Sequence, residues 1–167
     1  DESLIHGGGG VGQIPDAWGN DYVDDTYLHN GKAEKQTGYC TDVFFGAAID
    51  FVKRHKSEPF FCYVAANAPH SPYIAPERYK SMYSDGKVPE PMANFYRMIS
   101  CIDENIGNLL ETLKTEGLDE NTIVIFMTDN GTAAGITENA KEGQWKGFNA
   151  GMRGQKGTVW DGGHRVP

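Results

Sequence analysis

The chain is 167 residues long, 39% hydrophobic, and carries a formal net charge of −8. That length suits a single domain, for which roughly 100–200 residues is usual. The acidic balance argues against a general nucleic-acid binder, which needs surplus Lys and Arg to neutralise phosphates, and no apolar run approaches the ~20 residues of a membrane span. The charge is uneven, however. Residues 141–167 hold five Lys/Arg against two acids, a local +3 that leaves −11 over residues 1–140, so the basic end is a candidate anion site. Cys40, Cys62 and Cys101 are odd in number and widely spaced, without a C-x-x-C pair, and read as buried free thiols.

The opening I-H-G-G-G-G-V-G-Q, residues 5–13, is glycine-rich. No G-x-S-x-G elbow accompanies it and no strand and helix flank it, so it reads as a surface loop and not as an esterase or dinucleotide loop. Residues 18–31, W-G-N-D-Y-V-D-D-T-Y-L-H-N-G, cluster Asp21, Asp24 and Asp25 among aromatics. Their spacing departs from an EF-hand, which leaves a polar loop with a solvated acidic face whose aromatics could line a sugar subsite. A helix is predicted to about His55 with Thr41 as N-cap, Asp42 in its first turn, and Lys53, Arg54 and His55 in its last. Its apolar stripe is Val43, Phe44, Ala47, Ala48, Phe51 and Val52.

Residues 60–66, F-F-C-Y-V-A-A, form an apolar run of strand length ending in N-A-P-H-S-P-Y. Pro69 and Pro72 bracket His70 and Ser71 and restrict the loop. A histidine held just past a strand end is either a solvated structural residue or a functional one. A short helix is predicted over 76–83 and a long one over 92–116, with Phe95, Met98, Ile102, Ile106, Leu109 and Leu113 facing inward and Gly117 as its stop. Residues 123–127, I-V-I-F-M, lack polar alternation and read as a strand covered on both faces of a parallel sheet. Asp129-Asn130-Gly131 at its end is open to two readings, a tight turn or a ligand site at a strand's carboxyl edge. No regular period follows for more than twenty residues. The glycine-rich M-R-G-Q-K-G-T-V-W-D-G-G-H-R-V-P then presents Arg153 and Lys156. It is not a P-loop, since glycine follows Lys156, but it suits a sulfate- or phosphate-like group.

The ordered series G-Y-C-T-D-V-F, N-A-P-H-S-P-Y, I-V-I-F-M-T-D-N-G and M-R-G-Q-K-G-T-V-W-D-G-G-H-R-V-P resembles the sulfatases of the alkaline-phosphatase superfamily. The resemblance implies an α/β fold, an α/β/α sandwich around a mostly parallel sheet, of which this chain is the middle portion. It implies that Asp129 and Asn130 are ligands of a divalent cation, usually calcium. His70 would contact the sulfate and protonate the leaving alcohol, and Lys156 would bind sulfate oxygens; structural roles are expected for Arg153 and Arg165. Asn130-Gly131-Thr132 is also a glycosylation sequon, and a metal ligand there is expected to carry no glycan. The family's C/S-x-P-S-R motif, source of its formylglycine nucleophile, does not occur in this sequence, nor do its G-K-W-H-L-G segment and N-terminal acidic pair. They are expected upstream, so the chain by itself is expected to be inactive, with its metal site empty or weakly occupied. The implied substrate is a sulfated small molecule or glycan, and the implied location is exported: periplasmic, secreted or lysosomal. Two other readings stand beside this one, a phosphodiesterase or phosphonate monoester hydrolase of the same superfamily, and a non-catalytic anion- or sugar-binding relic.

Overall fold

The structure, a computed structural model, describes residues 1–8, 17–132 and 150–165. Most of the glycine-rich opening, most of the loop after Gly131, and Val166-Pro167 lie outside the described residues. The chain divides into two compact units, Asp1–Gly86 with Glu90–Thr122, and Lys87–Pro89 with Ile123–Pro167.

In the first unit β1 (Leu4–Ile5), β2 (Thr26–His29) and β3 (Lys32–Lys35) form an antiparallel meander in the order β1-β2-β3. The β2-β3 hairpin turns on Asn30 and Gly31, both with positive φ (50° and 79°). This is the Asn-Gly pattern that suits the right-handed twist of the flanking strands. The stretch read as a polar loop therefore contains the strand β2 and both residues of the hairpin turn. Its residues are not all solvated either: Tyr22 and Tyr27 are fully buried and Asp25 is 3% exposed. Neither tyrosine can face a ligand.

The helix α1 (Cys40–His55) starts one residue earlier than its expected cap. Tyr39 takes the N-cap position without a side-chain cap bond. Thr41 is fully buried inside the first turn, where its hydroxyl finds no hydrogen-bond partner among the described residues. The basic last turn is as expected, and His55 there pairs with Glu58 (2.6 Å) and Glu2 (3.4 Å). Those hydrogen bonds, Glu58 first, raise the affinity of His55 for its proton. A one-turn 3-10 helix, Glu77–Tyr79, replaces the short helix expected over 76–83.

The helix α2 (Glu90–Thr115) ends where Gly117 adopts φ 69°. Leu118 N donates to Leu113 O (2.8 Å) and Gly117 N to Lys114 O (3.1 Å), a glycine stop of the expected kind. Its buried face differs from the expected stripe. Met98, Cys101, Asn105 and Leu113 are buried, whereas Ile102, Ile106 and Leu109 are only half-buried. A polar network turns that face inward. Arg78 donates twice to the Asp42 carboxylate (2.8 and 2.7 Å) and Asn105 Nδ2 donates to Asp42 Oδ1 (2.7 Å), tying α1, the 3-10 turn and α2 together.

Burial alone would raise the Asp42 pKa, but the bonds from Arg78 and Asn105 outweigh it and hold the carboxyl below its usual value. Such a group stabilises the fold above the pKa of the unfolded carboxyl, about 3.9, and loses that contribution as pH falls through the folded value. Asp42→Asn is accordingly expected to cost about 1–3 kcal/mol at pH 7. The pair is partly exposed, with Arg78 at 41% and Asp42 at 33%, which favours the low end. Denaturant unfolding of mutant and wild type should converge as pH drops toward 3; a pH-independent difference would remove the ionic origin.

The apolar run 60–66 is assigned neither helix nor strand, but its burial alternates as in a strand. Phe60, Cys62 and Val64 are half-buried, with Phe60 packed edge-on against Phe51 of α1 (6.1 Å), while Phe61 and Tyr63 point outward at 87% and 80% exposure. In the second unit, residues 123–127 are likewise assigned neither helix nor strand and are all exposed, Ile123 at 90%. Neither run has a ladder partner among the described residues, and the only paired strands there are antiparallel. An apolar extended segment needs neighbouring strands and covering layers to bury both faces. The expected parallel pairing is therefore not among the described residues.

Candidate active site

His70 stands in the first unit, just past the run 60–66. His70 N donates to Asn67 O (3.0 Å), closing a turn, and both flanking prolines follow cis peptide bonds. The ring Nδ1 lies 2.8 Å from Ser71 O. A carbonyl only accepts, so Nδ1 carries the hydrogen and Nε2 is the atom left to take or give a proton.

The other three candidates belong to the second unit, and its main chain gathers them. Asp129 and Asn130 occupy the bend that ends the run 123–127. Immediately after them Gly131 N donates to Gly163 O (3.1 Å), and Lys156 N donates to Thr132 O (2.7 Å). The carboxylate-amide pair and the lysine loop are thus stitched edge to edge. The approach is close: a Cβ on Gly131 would come within 2.0 Å of Gly162 O, and one on Gly163 within 2.4 Å of Thr158 O. Glycine is required at both positions by this contact.

The lysine loop is tightly wound. Thr158 Oγ1 donates to Gln155 O (2.7 Å) and accepts from Gln155 N (3.0 Å), bracketing Lys156. Gly154 and Gly157 on either side take φ 81° and 85°. The loop runs into α3 (Asp161–His164), where Gly162 N returns to Arg153 O (2.8 Å). The Arg153 guanidinium lies 3.4 Å from the centre of the Trp160 ring, a cation-π contact that engages it with the loop itself. Trp160 and Thr158 were not singled out as candidates, and the only signal for them was their place between the glycines.

Asp129 and Asn130 offer hard oxygen donors of the kind a divalent cation such as calcium takes. Among the described residues no group of three or more His, Cys, Asp or Glu stands ready to hold a metal. The pair fits such an ion in chemistry and supplies part of a shell that needs ~6–8 oxygens.

Burial pushes the thiols of Cys40 and Cys101 up to about 12, so both are protonated at neutral pH, and burial also raises that of Cys62.

Comparison with known proteins fits this arrangement. A family model described as Sulfatase matches residues 8–167. The uncharacterized sulfatase YdeN of Escherichia coli is 30% identical over 150 residues, covering 87% of this chain and 25% of that protein. Arylsulfatase J of Mus musculus is 35% identical over 131 residues, 77% of this chain and 20% of that protein. N-acetylgalactosamine-6-sulfatase of Homo sapiens is 31% identical over 128 residues, with coverages of 76% and 22%. Among solved structures, Ps i-CgsB in complex with k-i-k-neocarrahexaose superposes with a TM-score of 0.71 at 34% identity, over 86% of this chain and 30% of that one. The chain spans about a quarter of the length of these curated relatives. Its α/β fold is the alkaline-phosphatase-like fold of its structural neighbours, in part. With a family match across nearly its whole length and the strand-end and lysine-loop motifs joined by main-chain hydrogen bonds, the chain belongs to the sulfatase family.

Proposed function

We propose that the whole protein is a sulfuric ester hydrolase acting on a sulfated saccharide or aryl sulfate, with this chain supplying part of the active site. The observation that carries the reading is the joining of the Asp129-Asn130 bend to the Lys156 loop through Lys156 N to Thr132 O and Gly131 N to Gly163 O. That main-chain joining supports reading the Asp129-Asn130 bend and the Lys156 loop as parts of one cationic seat for a tetrahedral anion.

In this reading the Lys156 ammonium neutralises charge that develops on the sulfuryl oxygens. Asp129 and Asn130 would hold a divalent cation, calcium by family; bound there, it would supply further positive charge to those oxygens. His70 Nε2 delivers a proton to the departing alcohol while the Nδ1-H to Ser71 O bond holds the ring. The nucleophile, a formylglycine in this family, comes from outside this sequence. The resemblance to a protein crystallised with k-i-k-neocarrahexaose and to N-acetylgalactosamine-6-sulfatase supports a sulfated saccharide as substrate. Export to the periplasm, the cell exterior or the lysosome is part of the same proposal.

The test is to incubate the full-length protein with a sulfated oligosaccharide, nitrophenyl sulfate, bis(nitrophenyl) phosphate and nitrophenyl phenylphosphonate, and to measure free sulfate and nitrophenol. Sulfate ester cleavage well above cleavage of the phosphorus esters is expected. Faster phosphate ester cleavage would favour the phosphodiesterase reading, and no release from any ester the non-catalytic one.

A further inference from the structure

The loop before β2 holds a buried group that the proposed reaction does not use. Tyr22 is fully buried, and its hydroxyl donates to His70 O at 2.7 Å, with Asn67 O 3.5 Å away. These two carbonyls sit at the ends of the turn that presents His70. The tyrosine is itself firmly held. Its ring stacks on Tyr39 (5.6 Å between centroids, 14° between planes), and its carbonyl accepts from Cys40 N at 2.8 Å. Its N-H, with that of Asp21, points to the carboxylate of Asp25 (3.2 and 3.0 Å), which also accepts from Tyr27 OH (2.9 Å). Asp25 is 3% exposed, and a carboxylate so deeply buried is tolerated because three donors surround it.

The backbone of Tyr22 has φ 91°, a region an L-residue with a bulky side chain rarely enters. Such a conformation persists only where the surroundings over-determine it, and it gathers at sites where position matters. Ring packing alone would be served by phenylalanine. The hydroxyl is what reaches the His70 main chain.

We propose that Tyr22 is a positioning residue: held by the buried Asp25 carboxylate, it anchors the 67–70 turn through its hydroxyl and so sets where His70 Nε2 stands. The anchoring is independent of the reaction, whereas its catalytic consequence rests on the proposed role of His70 as proton donor. If His70 protonates the leaving group, loosening its turn matters most for substrates whose alcohol leaves poorly and least for nitrophenolate, which needs no proton.

The test uses the full-length protein and two variants, Tyr22→Phe and Tyr79→Phe. Both remove one hydroxyl and its hydrogen bond from the same core cluster, but the Tyr79 hydroxyl donates to Glu104 (2.8 Å) and makes no described hydrogen bond to Tyr22, Asp25 or His70. Two readouts are taken. Hydrogen-deuterium exchange at the imidazole C2 of His70, followed by mass spectrometry, reports the ring's surroundings whether or not the protein is active. Steady-state kinetics then compares nitrophenyl sulfate with a sulfated saccharide. Tyr22→Phe is expected to change His70 exchange several-fold and to lower kcat on the saccharide by about 10–100-fold with little change in KM, while nitrophenyl sulfate turnover falls much less. Tyr79→Phe is expected to leave both near wild type. Unchanged His70 exchange in Tyr22→Phe, or equal changes in the two variants, overturns the anchoring. Altered exchange with equal losses on both substrates upholds the anchoring and overturns its catalytic consequence, and with it the proton-donor role of His70.

Discussion

Lys156→Ala in the full-length protein is expected to lower kcat/KM for an aryl sulfate by about 10²–10³-fold, the usual cost of deleting one preorganised donor to a developing oxyanion. The loop that carries Lys156 is held by its main chain and by Thr158, through Lys156 N to Thr132 O and the two Gln155-Thr158 bonds. Removal of the ammonium therefore leaves the scaffold intact. The melting temperature should hold while turnover collapses. Lys156→Arg is expected to recover little, because a broad planar fork does not replace a compact point charge in a tightly wound loop. Steady-state kinetics with a thermal melt in parallel decides the matter, and near-normal turnover in Lys156→Ala would refute the sulfate-binding role.

His70→Ala is expected to reduce kcat by about 10²–10⁴-fold, the range for a positioned general acid. The structure adds a finer expectation. With Nδ1-H donated to Ser71 O, only Nε2 can exchange a proton with substrate. A His70→Gln variant keeps a polar side chain but has no titrating group, and should be nearly as impaired as alanine. The loss should also grow with the pKa of the leaving alcohol, so a series of aryl and alkyl sulfates gives a steeper dependence in the variant than in wild type. A parallel pair of lines across that series would assign His70 to sulfate contact and not to proton transfer.

Local chemistry was legible wherever one residue or one short period carried it. The basic last turn of α1, the glycine stop of α2 and the placement of Asp129-Asn130 after an apolar run each depend on neighbours a few positions apart. The Asn30-Gly31 hairpin was equally local, yet it lay hidden because the acidic cluster before it suggested a solvated loop. Asp25 shows why that suggestion failed. Three donors, the main-chain N-H groups of Asp21 and Tyr22 and the hydroxyl of Tyr27, let it be buried, and charge in a sequence says nothing of how many donors will meet it. The inward face of α2 was misread for a related reason. Periodicity sorts residues by hydropathy, but Asn105 and Cys101 turn inward because Asp42 and Arg78 wait there.

By itself the sequence determined the order of the motifs, the oxygen donors at the end of an apolar run, the glycine-flanked lysine, and membership of the family they imply. These are properties of residue type and short spacing, and they survive without knowledge of what packs on what. Only the tertiary structure decided that the Lys156 loop joins the Asp129-Asn130 bend, that glycine is obligatory at 131 and 163, that Nε2 is the free nitrogen of His70, and that Tyr22 reaches the His70 turn from 48 residues away. The loop-to-bend joining and the Tyr22 contact depend on distances between segments far apart in the chain, and the Gly163 and His70-Ser71 contacts on how a loop winds on itself; hydropathy and local propensity encode neither.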